Sequence, residues 1–221
     1  MIIYDSNINS DDLKAYGIQI DEHARIGKNV KIGYGCVIFG KTEIGDDCEI
    51  GDNSRITNSI LGKEVKVLFS FVEDSTIGDK TSVGPYATIK KGSVISAECR
   101  IGNFVEIKNS NIGFKTKVAH LAYVGDADIG SECNVGCGVV FCNYNGLIKQ
   151  RSIVGDRVFI GSNVNIIAPV KIDNNSYVAA GGTINKDIEK NQFSIARSEQ
   201  INKNNFNNPY LKKYEKNQKN S

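Results

Sequence analysis

The chain has no excess of charge, no long apolar run and almost no histidine. Its 27 basic and 25 acidic side chains leave a formal charge of +2, so the surface as a whole offers no field for nucleic acid or anionic lipid. Any anion site must be local. No apolar run approaches the roughly 20 residues that a membrane helix needs. The opening residues, MIIYDSNINSDD, lack the basic and hydrophobic regions of a signal peptide, so the expected location is cytoplasmic. The only histidines are His23 and His120. A site built on three histidines, such as that of solenoid carbonic anhydrases, cannot be assembled from them without bringing His23 in from outside the repeats.

Cysteine is better represented, with six residues: Cys36, Cys48, Cys99, Cys133, Cys137 and Cys142. Five lie in or beside repeat positions where small residues belong, which predicts buried free thiols rather than disulfides. Cys133 and Cys137 have a spacing seen at metal sites, but no second Cys or His pair completes one, so no metal is expected. With 40% apolar residues in 221, one domain with a substantial core is the natural reading.

What is present is a repeat. From Ile26 an aliphatic residue recurs every six positions through Ile32, Ile38, Ile44, Ile50 and Ile56, and glycine follows directly at Gly27, Gly33, Gly45 and Gly51. A less regular passage holds Leu61, Val67 and Val72. The step resumes at Ile77, Val83, Ile89, Ile95, Ile101 and Ile107, and continues, with five-residue steps between blocks, through Ile112, Val118 and Val124, then Ile129, Val135 and Phe141. A last block runs through Val154, Ile160, Ile166, Ile172, Val178 and Ile184. This period fits neither helix nor an ordinary alternating strand, and self-similarity of this kind fixes the architecture before local propensity is considered. It predicts an all-β, triangular parallel solenoid of roughly nine coils, with about 18 residues and three short strands per coil. One aliphatic side chain per strand points inward, and the glycines are expected at corners, often at positive φ.

Three stretches escape the period. Residues 1–25 form a lead-in, with a weak helix signal at Asp11, Asp12 and Leu13. Residues 142–153, within CNYNGLIKQRSI, must leave the prism as an extruded loop, and a loop on an otherwise uniform rod is where function is expected. The repeat domain therefore spans 26–190. Residues 191–221 form a tail rich in Asn and Lys, expected to lack fixed structure at its end.

The segments GPYATIKKG, GNFVEIKNS, AHLAYVGDADIG, CNYNG, VFIGSNVNIIAPV, YVAAGGTINKDI and SIARSEQ resemble the acetyltransferase half of the bacterial bifunctional N-acetylglucosamine-1-phosphate uridyltransferase and glucosamine-1-phosphate N-acetyltransferase family. The likeness runs from about Ile26 to Asn205, and no nucleotide-binding pattern for the uridyltransferase half precedes it. The chain is therefore expected to be a standalone acyltransferase or a fragment, with a separate uridyltransferase as a candidate partner. The resemblance implies a left-handed β-helix, a homotrimer with sites between subunits, and acetyl transfer from acetyl-CoA to the amine of glucosamine 1-phosphate. It implies His120 as base, and Lys90, Lys108, Tyr123 and Asn134 around the sugar phosphate. It implies Asn143, Tyr144, Lys149, Ser162, Ala180 and Arg197 along the cofactor. That family usually has arginine at the place of Lys90 and aspartate at that of Asn145.

The chemistry suits those roles. An ammonium cannot attack a thioester, and imidazole titrates where a base for it is needed. His120 lies two positions after the inward Val118 and should face outward. Lys90 and Lys108 are three hexapeptides apart, which stacks them on one face as fixed cations for a phosphate. A backbone N–H at a tight turn or an asparagine amide would serve the oxyanion. Two other readings stay open: a different amino sugar or sugar nucleotide as acceptor, and a solenoid that is a scaffold without catalysis.

Overall fold

The computed structural model describes residues 1–3, 10–206 and 209. The end of the tail, for which no fixed structure is expected, lies outside them.

Strands of two or three residues stack into three sheets of 11, 10 and 9 strands, each strand hydrogen-bonded to the one a coil above and a coil below. Among the described residues pairing within the three sheets is parallel, except where Ile2–Ile3 lies antiparallel to Lys31–Ile32 at the N-terminal end. Each sheet forms one face of a triangular prism. The first face includes Lys117–Val118, the second Tyr123–Gly125 and the third Ala127–Ile129. The stack is longer at both ends than the periodic residues indicate. It begins with Gln19–Ile20, where Ile20 lies one six-residue step before Ile26, and closes with Phe193–Ser194, which finds a backbone ladder without the aliphatic step.

Every inward position from Ile32 to Ile184 is buried. Ile26 is half-buried at the bottom of the column, where Ile2, Leu13 and Tyr16 cover the exposed end of the core. Leu13 belongs to the helix Ser10–Ala15, the element signalled by its acidic first turn, and the helix ends at Gly17, whose φ of 66° suits glycine. A second inward position lies two residues before each aliphatic one. It holds small side chains such as Val30, Cys36, Ser54, Ala87, Cys99 and Cys133, all buried. All six cysteines are free, four of them buried and Cys137 and Cys142 half-buried. Burial pushes Cys48 and Cys99 up to about 11.

The glycines that follow the aliphatic residues have a different role from the one expected. Gly27, Gly33, Gly45 and Gly51 do not take positive φ; a Cβ on Gly45 would lie 2.5 Å from the carbonyl oxygen of Gly62, and one on Gly33 2.5 Å from the nitrogen of Asp52. They are small because successive coils touch there. At Gly27 the space admits the Asp46 carboxylate, which accepts from Lys28 N–H at 2.9 Å. Positive φ falls instead at the true corners, on Asn29 (55°), Asn53 (54°) and Asn58 (47°), where asparagine tolerates the left-handed region.

Candidate functional site

The second face carries the expected cation pair. Lys90 ends the strand Thr88–Lys90 and Lys108 ends Glu106–Lys108, and the two are in register one coil apart. The next residue up that row is Gly125. With no side chain of its own, Gly125 leaves a shallow floor, and the Tyr123 hydroxyl lies over it. A Cβ there would meet both that hydroxyl and the Asn143 amide nitrogen, at 2.4 and 2.8 Å. Lys90 is not free: its ammonium pairs with Glu106 at 2.8 Å.

Two corners border this face. On one side the corner between the first and second faces holds His120, exposed and pointing outward as its offset from Val118 requires. His120 (φ 64°) and Leu121 (φ 55°) both occupy the left-handed region. Two such residues in succession cost a few kcal/mol, and a conformation of that kind persists only where its surroundings enforce it. Here Leu121 N–H donates to Asn103 O at 3.2 Å, and Gly138 N–H to His120 O at 3.0 Å. The Asn103 side-chain oxygen lies 2.7 Å from His120 Nδ1. That oxygen is an acceptor, so the neutral ring carries its proton on Nδ1 and directs the Nε2 lone pair outward. This is the tautomer a base needs.

The same edge continues upward through Cys137, Ser162 and Ala180, one coil apart, linked by Asn163 N–H to Cys137 O at 2.7 Å and Gly181 N–H to Ser162 O at 2.8 Å. Arg197 joins its top by donating from Nη1 to Ala180 O at 2.8 Å. At ~4.8 Å per coil, the line from His120 past the half-buried Cys137 to the exposed Ser162 and Ala180 runs about 14 Å, a track of small side chains beyond His120 along which an extended chain can lie. Three of the residues expected along the cofactor are thus aligned with the expected base.

The opposite corner of the second face is the root of the extruded loop. Asn143 is buried there, while Tyr144 and Lys149 lie on an exposed hairpin and face each other in an antiparallel bridge. Asn145, where the resembled family usually has aspartate, closes the hairpin by accepting from Leu147 and Ile148 N–H, both at 2.9 Å. Arg151 anchors the returning strand on Asp128 and on Asn109 O, both at 2.7 Å. Leu147, at the tip, is 88% exposed.

Lys90, Lys108 and Tyr123 therefore share one face, with His120 at one border and Asn143 at the other. Asn134 is not on it. Its strand lies on the first face between Lys117 and Phe159, and a single prism separates Tyr144 and Lys149 from Ser162, Ala180 and Arg197 by the width of the second face. Sequence reasoning missed Asn103, Glu106, Gly125 and Asp126. Asn103, Gly125 and Asp126 were within reach, since they lie one coil from His120, Lys108 and Asn143; the pairing of Glu106 with Lys90 becomes visible only when the rows are packed. His23 lies apart from all of this, near the N-terminal end, bonded through Nδ1 to Asp21 at 2.8 Å. Among the described residues no group of three or more His, Cys, Asp or Glu side chains gathers as metal ligands, and no helix is long and apolar enough to cross a membrane.

Fold and face together define a hexapeptide-repeat solenoid of the kind that carries transferases. Residues 151–186 match the profile of the bacterial transferase hexapeptide (six repeats), and residues 20–100 that of the GMPPB C-terminal domain. The chain is 50% identical over 184 residues to the bifunctional protein GlmU of Clostridium botulinum (strain Kyoto / Type A2), a match covering 83% of this chain and 40% of that protein. It is 48% identical over 183 residues to GlmU of Clostridium beijerinckii, covering 80% of this chain and again 40% of the relative. The UDP-N-acetylglucosamine acyltransferase of Francisella novicida has the same fold, with a TM-score of 0.53 and 19% identity over 81% of this chain and 65% of that one. The coil is accordingly a left-handed β-helix. The chain matches the C-terminal part of the GlmU proteins and spans 40% of their length.

Proposed function

We propose that the protein is an acetyl-CoA-dependent N-acetyltransferase acting on glucosamine 1-phosphate, supplying N-acetylglucosamine 1-phosphate for nucleotide-sugar and cell-wall synthesis in the cytoplasm. The observation that carries this reading is the contact of His120 Nδ1 with the Asn103 side-chain oxygen at 2.7 Å, at the border of a face that stacks Lys90 and Lys108. The phosphate sits against the two ammonium groups, and the sugar lies over Gly125 beside the Tyr123 hydroxyl. His120 Nε2 takes a proton from the sugar's ammonium or from its attacking amine, while Asn103 holds the Nδ1 proton and orients the ring. The amine nitrogen bonds to the thioester carbonyl carbon, the carbon–sulfur bond breaks, and the proton on His120 is available to the departing thiolate. The acyl-bearing arm lies along the edge of Cys137, Ser162 and Ala180, with Arg197 and Lys149 as cations for the cofactor's phosphates.

This arrangement needs a second copy of the chain. Tyr144 and Lys149 lie across the second face from the His120 edge of their own prism, and Asn134 lies on the first face, on the other side of that edge from Lys90, Lys108 and Tyr123, whereas a neighbouring prism in a homotrimer brings its loop or its first face to that edge.

The test is thiol release from acetyl-CoA with glucosamine 1-phosphate as acceptor, beside glucosamine without the phosphate. Release with the phosphorylated sugar alone supports the reading; no release with either sinks it. One observation favours a different acceptor. Lys90 is already engaged by Glu106, and an ammonium cannot grip phosphate with the paired geometry of arginine. Faster release with a nucleotide-linked or other amino sugar would select that alternative.

A further inference from the structure

Asp126 lies behind the floor of the second face, at the corner from which the loop springs. It is only 8% exposed and has φ of 48°. Its carboxylate accepts from two side-chain amides in neighbouring coils. Asn109 Nδ2 donates to one oxygen at 2.5 Å, and Asn143 Nδ2 donates to the other. Its backbone is also committed, with Asp126 N–H on Lys108 O at 3.0 Å and Ser152 N–H on Asp126 O at 3.1 Å. Corner positions need only a residue that tolerates positive φ, and Asn58 and Asp74 fill the same position lower on this edge. At Asp126 the carboxylate does more than turn the chain.

We propose that Asp126 is a positioning residue for the acyl transfer: it fixes which edge of the Asn143 amide faces the reacting groups. An amide has one acceptor edge and one donor edge. Against a carboxylate only the donor edge is favourable, so Asn143 must turn Nδ2 inward and its carbonyl oxygen outward. The Asn143 nitrogen lies close over Gly125, beside the Tyr123 hydroxyl, so the orientation chosen at Asp126 is presented at the floor of the site. Asn109 donates to the other carboxylate oxygen and is not one of the two groups whose pairing turns the Asn143 amide. The inference rests on the acetyltransferase reading given above.

The experiment measures turnover, KM for both substrates and thermal unfolding for the full chain and for Asp126→Asn, Asn143→Ala, their double variant and Asn109→Gly. An asparagine at 126 keeps the shape and tolerates the positive φ, but presents only one acceptor to two donors, so the Asn143 amide loses its fixed orientation. Turnover of Asp126→Asn at saturating substrate is expected to fall about 10- to 100-fold, the range for a misplaced reacting group, with a small change in melting temperature. Asn143→Ala should fall similarly, and the double variant no further, since both changes remove one function. Asn109→Gly should melt earlier and keep its turnover. Asp126→Glu, which retains the charge but displaces both amides, serves as the second variant should Asp126→Asn fail to fold, with a loss in the same direction. An active wild type with unaffected Asp126 variants, or effects that multiply in the double variant, overturns the inference alone. An inactive wild type overturns the acetyltransferase reading and this inference with it.

Discussion

The two halves of the solenoid share a backbone and a core, yet differ along the edge between the first and second faces. In the lower half three successive corner residues, above Gly35 and Asn53, are large and aromatic. Phe69, Tyr86 and Phe104 stack ring on ring, with centroids 6.0 and 5.3 Å apart. In the upper half the same edge, from His120 and Leu121 upward, turns small through Cys137, Gly138, Ser162, Asn163 and Ala180. The inward column does not register the change, since Ile56 and Ile107 are equally buried. A coil built from hydrogen bonds between its neighbours and one inward side chain per strand leaves its corner side chains unconstrained. Function can therefore be written on the corners at little cost to the fold.

The sharpest break of that comparison is His120→Ala. Turnover should fall about 10²- to 10⁴-fold, the usual contribution of a positioned base, with the melting temperature almost unchanged because the side chain is exposed. Equal loss of both would place His120 in the fold instead. The core should show the opposite behaviour. Ile56→Ala in the lower half and Ile107→Ala in the upper half should each cost about 2–5 kcal/mol in denaturant unfolding; a clear difference between them would mean that the halves are not packed alike.

Among the cations, Lys108→Ala should raise KM for the phosphorylated acceptor by roughly 10- to 100-fold, the loss of a charge-assisted hydrogen bond of about 1.5–3 kcal/mol. Lys90→Ala should do less, because Lys90 must first give up Glu106. A larger effect at Lys90 would reverse the assignment of the principal phosphate ligand. On the lower edge, Tyr86→Ala removes two ring contacts and should lower stability by about 1–2 kcal/mol while leaving turnover at saturation intact.

The smallest effects concern pH. Burial raises the Cys48 and Cys99 thiols from 9.0 to about 11, so the folded state holds those protons longer than the unfolded chain. Their contribution is fully present below pH 9 and is lost as pH rises toward 11, which unfolding midpoints at successive pH values will follow. Asp46 and Asp173 shift the other way, each held below the ordinary aspartate value chiefly by a backbone N–H, of Lys28 and Asn174 respectively. Their share is present above about pH 4 and is lost on further acidification. In thiol titration Cys137 and Cys142 should react before the four buried cysteines; a buried thiol reacting first would contradict the packing.

The six-residue step by itself determined the architecture, the inward column, the outward direction of His120 and the stacking of Lys90 on Lys108. A solenoid converts sequence spacing directly into spatial neighbours, so an offset of one coil reads as a contact. The helix at Ser10–Ala15 and the loop after Cys142 were legible for related reasons, one from its acidic start and the other from a lost period. The glycines after the aliphatic residues were legible as small, but not for the right reason, since the approach of adjacent coils is a distance between segments and not a property of either.

What only the tertiary structure decided lies across the rows. It set the pairing of Lys90 with Glu106 and the turning of the Asn109 and Asn143 amides onto the two oxygens of Asp126. Side chains at the end of a strand or at a corner can lean toward either neighbouring coil. The period says which residues are adjacent, and only the packed rows say which of them touch.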